Sequence, residues 1–289
     1  MKKANASLPV DEPGAAQLVL AALGLIDKAL DRIKRPAALR GEDLHAVRIA
    51  IKRLRAILRL IRPVISKTFF NRENAHLKKA SRRLAFSRDT TIARKTIESL
   101  SQSAPRRPEA FAAVLAGFKE HAASQTAVEK AMNRTGSDLE QSARRLERLR
   151  ISRGGWKAVE PALRKVYCQG RRRMAAALEN GDDNSYHRWR IRVKALYHQL
   201  QMLEPHWPHP VGPMIGRLKK LESKLGANQD IAMVASLLRK TPNAFGGAEN
   251  VGQVLKCVDK KSRKLKRKTR LLGEAIFAKK EPFKNAKLV

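Results

Sequence analysis

The sequence has few of the features that mark secreted or membrane-spanning proteins. Its 289 residues include only two cysteines, Cys168 and Cys257, too few for a disulfide framework. The most apolar run, at 15–26 (AAQLVLAALGLI), is shorter than the ~20 residues that cross a bilayer. It also follows Asp11 and Glu12, whereas a secretory signal starts with basic residues. We therefore expect a buried helix here and a cytoplasmic protein with no membrane insertion.

Acidic and aromatic residues are scarce as well. The chain has 26 Asp and Glu against 61 Lys and Arg, a formal net charge of +35, and only 5% of its residues are aromatic. Because an excess of one sign makes a compact chain repel itself, the composition predicts a polyanionic partner. Charge alone leaves DNA, RNA, acidic lipid and polyphosphate open. The few aromatics weigh against single-stranded nucleic acid, whose bases usually stack on aromatic side chains.

Signatures of phosphoryl-transfer enzymes are missing too. The sequence has no Gly-x-x-x-x-Gly-Lys-Ser/Thr loop, and no pair of acidic residues is obviously placed to hold Mg²⁺. His206 and His209 are neighbours but lack the Cys or acidic partners of a zinc site. We expect no enzymatic activity, no cofactor and no metal.

What the chain does have is a helical pattern along most of its length. Apolar residues recur with a period near 3.6 among Ala, Leu, Arg, Lys and Glu, and alternating β-branched runs are missing. Proline and glycine clusters interrupt the pattern and set its boundaries. The sequence therefore predicts an all-α fold with helices at 15–35, 43–62, 71–100, 108–133, 138–150, 156–179, 184–204, 213–239 and 248–279.

An internal repeat relates the two halves of the chain. The pattern His-x-x-Arg-x-x-x-Lys occurs at 45–52 and again at 187–194. Downstream of each copy, Leu-Lys-Lys is followed twelve residues after its leucine by an aspartate, Asp89 or Asp230. Two half-chains, 1–150 and 151–289, therefore share one plan. We predict two four-helix bundles related by a pseudo-twofold axis.

Each helix of the repeated motif carries a basic stripe beside an apolar face, because residues three, four and seven apart share one side of a helix. In 43–62 the apolar face is Leu44, Val47, Ile51, Leu54, Leu58 and Ile61, and the stripe is His45, Arg48, Lys52, Arg55 and Arg59. In 184–204 the apolar face is Trp189, Val193, Leu196, Leu200 and Leu203, and the stripe is His187, Arg190, Lys194, Tyr197 and Gln201. The next helix of each half adds cations beside its leucines, including Lys79 and Arg83, then Lys220 and Lys224.

A charged side is normal for any surface helix, and Lys and Arg stems often cover apolar seams. Here, however, almost no Asp or Glu at helical spacing neutralises the stripes, and the stripes recur at one register in both halves. Arg offers a planar fork to phosphate oxygens, Lys a compact charge and His a ring donor. We interpret the stripes as phosphate-binding surfaces.

Two ordered copies of His-x-x-Arg-x-x-x-Lys, each followed by a helix that ends in an (Arg/Gln)-Asp pair, resemble the CHAD family (conserved histidine α-helical domain). The resemblance covers nearly the whole chain. It implies two four-helix bundles around a basic central groove that binds inorganic polyphosphate, and no enzymatic activity of the domain itself. Carried over by position, the groove residues would be His45, Arg48, Lys52, Arg53 and Arg55 in the first half and His187, Arg190 and Lys194 in the second. Lys79, Arg83, Lys220 and Lys224 would support them.

The second motif departs from the family pattern. The family usually continues as Lys-Arg-Leu-Arg-Tyr, but Lys194 is followed by Ala195, Leu196 and Tyr197, so two cations are missing. We therefore expect unequal contacts in the two halves, with the first half contributing more. Tyr197 is interpreted as a core-edge residue that supports the site.

The family's Gly-x-x-Arg-Asp element is divided between the copies. The first keeps Arg88 and Asp89 but has Ala85 for the glycine, and the second keeps Gly226 and Asp230 but has Gln229 for the arginine. Arg88, Asp89 and Asp230 are interpreted as structural, with the carboxylates holding Arg or His side chains by charge-assisted hydrogen bonds.

The sequence thus predicts non-catalytic binding of inorganic polyphosphate, and with it an association with polyphosphate granules. The alternative is a general nucleic-acid-binding basic protein, and weak non-specific contact with nucleic acid fits either reading. Nine Lys or Arg at 256–270 form either a nucleic-acid patch or the solvated face of the last helix.

Overall fold

A computed structural model describes residues 14–35, 41–84, 88–104, 107–118, 125–151, 155–206, 211–280 and 283. Ten α-helices account for most of these residues, and the described ranges contain no β-strand. The helices are α1 (Ala15–Lys34), α2 (Gly41–Leu60), α3 (Lys67–Arg83), α4 (Arg88–Gln102), α5 (Pro108–Ala116), α6 (Gln125–Glu147), α7 (Trp156–Asn180), α8 (Asp183–Leu203), α9 (Gly212–Lys240) and α10 (Gly247–Ile276). Short 3₁₀ segments occupy Arg62–Val64, Glu204–His206 and Pro242–Phe245. The all-α prediction is confirmed.

The predicted helix at 71–100 was wrong, because the structure has two helices there, α3 and α4. Leu84 caps α3, and its N–H donates to the Ala80 carbonyl at 3.2 Å. No proline or glycine lies between the two helices, so no breaker residue marks this boundary. The Arg88-Asp89 pair therefore belongs to the start of α4 and does not end the preceding helix, whereas Gln229 and Asp230 lie inside α9.

The predicted boundary at Gly136 was also wrong. Instead of helices at 108–133 and 138–150, the structure has α5 and a single α6 that runs through Gly136. A Cβ at Gly136 would lie 3.5 Å from Ile33 Cγ2 of α1. This is an ordinary van der Waals distance, so Gly136 is a buried position of α6 packed against α1, and local breaker rules do not detect such packing.

The first helices of the two half-chains begin side by side. Gly14 and Gly155, which precede α1 and α7, form an isolated antiparallel bridge. Gly14 has φ 149, and a Cβ there would lie 2.7 Å from the carbonyl carbon of Gly155. An L side chain is therefore excluded at Gly14 on both conformation and space.

The buried apolar side chains form two clusters. The larger joins α1, α2, α3, α6, α7, α8 and the first half of α9. The smaller joins α4 and α5 to the second half of α9 and most of α10. Helices α4 and α5 thus pack against helices from the other half of the sequence. The division at residue 150 and the pseudo-twofold bundles stay predictions.

Candidate anion-binding site

The two motif helices, α2 and α8, contact each other and bury the predicted apolar faces. Val47, Ile51 and Leu54 of α2 are buried, as are all five predicted apolar residues of α8. Beside them, His45 is exposed, and the other stripe residues are half-buried: Arg48, Lys52, Arg55, Arg59, His187, Arg190, Lys194, Tyr197 and Gln201. The stripes therefore border the core, where their aliphatic stems are packed and their charges are only partly solvated.

His198 lies where the two stripes come together. It is buried on α8, and its Nδ1 lies 3.2 Å from Gln201 Oε1. Burial is the main cause that lowers the pKa of His198 to about 4, and the charges of Lys194, Lys52 and Arg53 act in the same direction. The Gln201 contact acts in the opposite direction. The imidazole is therefore neutral at pH 7. Two cations of α2 and one of α8 are close enough to influence one buried group.

Further along α2, arginines approach one another closely. Arg55 Nε donates to Asn74 Oδ1 at 3.2 Å, and Arg59 Nη1 donates to the Arg55 carbonyl at 3.1 Å. Burial, with the charges of Arg55 and Arg192, lowers the pKa of Arg59 to about 10. Burial, followed by the charge of Arg173, lowers the pKa of Arg192 as well. These guanidiniums are poorly solvated and repel each other.

Four cations surround a cavity of about 560 Å³ between α2, α7 and α8, which we call the Arg59 pocket. They are Arg59, Arg62, Lys165 and Arg192. The remaining lining residues are Pro63, Phe70, Pro161, Ala162, Val166 and Gln169, so none of the described residues that line the pocket is acidic. Arg62 lies over the Phe70 ring at 4.9 Å. Across the described ranges, none of the four cations forms an ion pair. The pocket is suited to an anion that would supply the missing negative charge.

The second-half stripe, in contrast, has an acidic partner. Glu222 Oε1 of α9 accepts hydrogen bonds from Arg190 Nη2 at 3.0 Å and Lys194 Nζ at 3.1 Å. Burial raises the pKa of Glu222, but Lys194 and Arg190 outweigh it and hold the pKa below its ordinary value. A Cβ on Gly226 would lie 3.4 Å from the Arg190 guanidinium, so the glycine makes room for this ion pair.

The histidine of the second motif is held by the residue that departs from the family pattern. His187 Nδ1 lies 2.8 Å from Gln229 Oε1, which can only accept, so Nδ1 carries the proton in this contact. Asp230 is half-buried on α9. The side chains of Arg88 and Asp89 lie outside the described residues, so their predicted supporting role stays a prediction.

The supporting cations differ in their surroundings. Arg83 Nη1 donates to Asp138 Oδ2 at 2.6 Å, in an ion pair that joins α3 to α6. Lys79 and Lys220 are exposed, and Lys224 is half-buried. Arg83 is therefore already neutralised, and helical spacing within α3 could not reveal an acid on another helix.

Sequence reasoning missed several residues of this site, namely His198, Glu222, Arg62, Lys165 and Arg192. For His198 a signal was available, because the repeat aligns it with Ala56, which is buried on α2. Arg62, Lys165 and Arg192 come from separate segments, so only the packing of α7 and α8 on α2 brings them together.

No group of three or more His, Cys, Asp or Glu side chains in the described ranges is arranged to hold a metal ion. None of the helices there combines the length and apolarity required to traverse a lipid bilayer.

The fold and this surface define an all-α protein with a partly buried cluster of cations. Residues 24–239 match the sequence profile of the CHAD domain, which is most of the chain. The chain therefore belongs to the CHAD family. Comparison with curated proteins finds no match.

A solved structure supports the fold independently. The crystal structure of the CHAD domain from the plant Ricinus communis aligns with a TM-score of 0.57 at 17% identity. The alignment covers 96% of this chain and 95% of that one. At this identity the likeness establishes the fold.

Proposed function

We propose that this protein binds inorganic polyphosphate, without catalysis, along the cations that α2 and α8 bring together. The observation that carries the proposal is the Arg59 pocket, where four cations share one cavity without an ion pair to the described carboxylates. Arg59 and Arg192 are half-buried, whereas Arg62 and Lys165 are exposed. The half-buried like charges are costly until an anion lies among them. A chain of phosphates supplies negative charge at every repeating unit and matches both Arg and Lys.

The composition of the surface favours a polymer without bases. Phe70 is the one aromatic residue in the lining of the Arg59 pocket, and its ring is already covered by Arg62. Trp189, the large aromatic residue of the second motif, is fully buried. Bases of a single-stranded nucleic acid would therefore find few faces for stacking here, whereas polyphosphate needs none.

The acidic residues near the cations favour binding over phosphoryl transfer. Glu222 is engaged by Arg190 and Lys194, and Asp138 by Arg83. A magnesium-dependent reaction requires carboxylates free to coordinate the metal. We therefore propose a binding module, and an affinity for long chains would recruit it to polyphosphate granules in a cell that stores them.

The test is a competition titration at about 150 mM salt, near physiological ionic strength. Labelled long-chain polyphosphate is displaced by unlabelled polyphosphate, single-stranded RNA or duplex DNA. We expect polyphosphate to compete far better per phosphate. Equal competition by RNA or DNA would show that the positive charge attracts any polyanion without specificity. That result would favour the nucleic-acid alternative.

Variants locate the binding surface. Arg59→Gln with Arg192→Gln should reduce the slope of log affinity against log salt by about two, roughly one per lost phosphate contact. The matched control, Arg144→Gln with Lys130→Gln, removes the same charge from exposed positions of α6. Equal losses in both double variants would show that the Arg59 pocket has no special role.

A further inference from the structure

The basic run at 256–270 is divided by the fold into separate groups. Lys266 Nζ lies 3.2 Å from Asp183 Oδ1, and Arg270 Nε lies 2.8 Å from Glu274 Oε1, so these two cations are paired. Arg267 and Lys268 are exposed. The other five, Lys256, Lys260, Lys261, Arg263 and Lys264, line one side of a cleft. Part of the run therefore lines a cleft, whereas a solvated helix face would not form one.

This cleft has a volume of about 680 Å³ and lies between α10 and residues at the end of α4 and the start of α5. Leu100, Ser103, Ala104 and Arg107 form its opposite wall, and Cys257 lies in the α10 wall. Arg107 Nη1 donates to the Gln253 carbonyl at 2.9 Å, which ties the start of α5 to α10. With Arg107 included, six of the described lining residues are cations and none of the described ones is acidic. We call this the α10 cleft.

The cations of the α10 cleft have no internal counter-charge in the described part of the chain. Asp259, the only acidic residue between 256 and 270, faces α9 and lies 3.5 Å from Arg239. None of the six lining cations forms an ion pair with a described carboxylate. Lys256, Lys260 and Lys264 follow one another at i, i+4, where like charges repel on a helix. An anion in the cleft would relieve this repulsion.

The α10 cleft is separate from the surface of α2 and α8. It shares no lining residue with the Arg59 pocket. It rests on the smaller apolar cluster, and its main wall lies beyond residue 239, where the CHAD profile match ends. The internal repeat does not reproduce it, because the basic run occurs only once in the sequence.

We infer that the α10 cleft is a second binding site for a linear phosphate polymer, so that a long polyphosphate chain contacts the protein at two places. This inference rests on the proposed function for the choice of ligand. The lining contains no aromatic residue, which disfavours bases, and it combines Lys with Arg, which both bind phosphate oxygens.

Cys257 allows the site to be tested directly. Cys257 and Cys168 are both free and half-buried, but only Cys257 lines the cleft. The full chain is treated with iodoacetamide, with and without long-chain polyphosphate, and alkylation of each thiol is followed by mass spectrometry. Polyphosphate should slow alkylation of Cys257 several-fold and leave Cys168 unchanged.

Charge-removing variants make the result specific. Lys260→Gln with Lys264→Gln should abolish the protection of Cys257 while binding at the Arg59 pocket persists. Lys28→Gln with Lys130→Gln, at exposed positions on α1 and α6, should keep the protection. Binding of polyphosphate to the protein is measured in parallel by fluorescence anisotropy.

The outcomes separate the two proposals. If polyphosphate binds and Cys257 is not protected, the α10 cleft is not a site, although the proposed function stands. If polyphosphate does not bind at all, the proposed function fails. If RNA protects Cys257 as well as polyphosphate does per phosphate, the cleft is a nucleic-acid surface and the inference is overturned.

Discussion

Replacing Arg59 by methionine should stabilise the ligand-free protein. Burial, with the charges of Arg55 and Arg192, lowers the pKa of Arg59 from its ordinary value to about 10. This fall corresponds to about 3 kcal/mol against the charged form in the folded chain. At pH 7 the guanidinium is charged in both folded and unfolded chains, so the penalty is fully present and would be relieved only as the pH rises through about 10.

Methionine keeps an aliphatic stem at this position and removes the charge. The loss of the hydrogen bond from Arg59 to the Arg55 carbonyl offsets about 1.5 kcal/mol of this stabilisation. A net gain of about 1.5 kcal/mol remains, which raises the melting temperature by about 2–3 °C. Polyphosphate should stabilise the wild-type protein by about 2.7 kcal/mol at a hundredfold excess over Kd, and the variant by less.

The assay is thermal unfolding in phosphate-free buffer at low salt, with and without long-chain polyphosphate. Arg144→Met serves as the control, since Arg144 is exposed on α6. The reasoning is refuted if Arg59→Met lowers the ligand-free melting temperature, because the guanidinium would then be a structural group. It is equally refuted if polyphosphate stabilises Arg59→Met as much as the wild type.

Four further predictions concern stability and charge. Because the pKa of His198 is about 4 when folded and near 6.5 when unfolded, the unfolded chain binds the extra proton between these values. Stability should therefore decline by up to about 3 kcal/mol as pH falls from 6.5 to 4, and His198→Leu should flatten this part of a urea-denaturation pH profile. Glu222→Gln should lower the free energy of unfolding by about 1–3 kcal/mol, because Arg190 and Lys194 lose their anion. The same variant should bind polyphosphate more tightly in an anisotropy titration. Gly14→Ala should destabilise by about 1–3 kcal/mol in thermal unfolding, because of its positive φ and the close contact with Gly155. Gly24→Ala, in α1 with open space around its Cβ position, should stabilise by up to about 1 kcal/mol in the same measurement.

The repeat and the helical period predicted much of what the structure shows. The all-α fold and the buried faces of α2 and α8 follow from apolar spacing that depends only on local geometry. The boundaries failed where tertiary contacts decided them. Gly136 was read as a breaker, but it is a contact point between α1 and α6, and α3 ends at Leu84 without any breaker in the sequence.

The site was predicted less completely, for a physical reason. Helical spacing detects charges within one helix, and it therefore identified the stripes but missed the acids of other helices. Glu222 neutralises Arg190 and Lys194 from α9, and Asp138 neutralises Arg83 from α6. The same limit hid the Arg59 pocket, whose cations come from α2, α7, α8 and the 3₁₀ segment after α2.

The distribution of acids makes the two halves of the motif unequal in a way that bears on function. In the second half, Glu222 already provides an anion for Arg190 and Lys194, so a phosphate arriving there must compete with it. In the first half, the described hydrogen-bond acceptors of Arg55 and Arg59 are a neutral amide and a backbone carbonyl. Burial lowers the pKa of both guanidiniums, and neither forms an ion pair with a described carboxylate. A phosphate entering the Arg59 pocket displaces no carboxylate and restores the missing charge. The first half should therefore contribute more of the binding free energy. This agrees with the second motif, which has Ala195 and Tyr197 where the first has Arg53 and Arg55. Glu222 would then adjust the affinity of the second half and hold its cations in place while the site is empty.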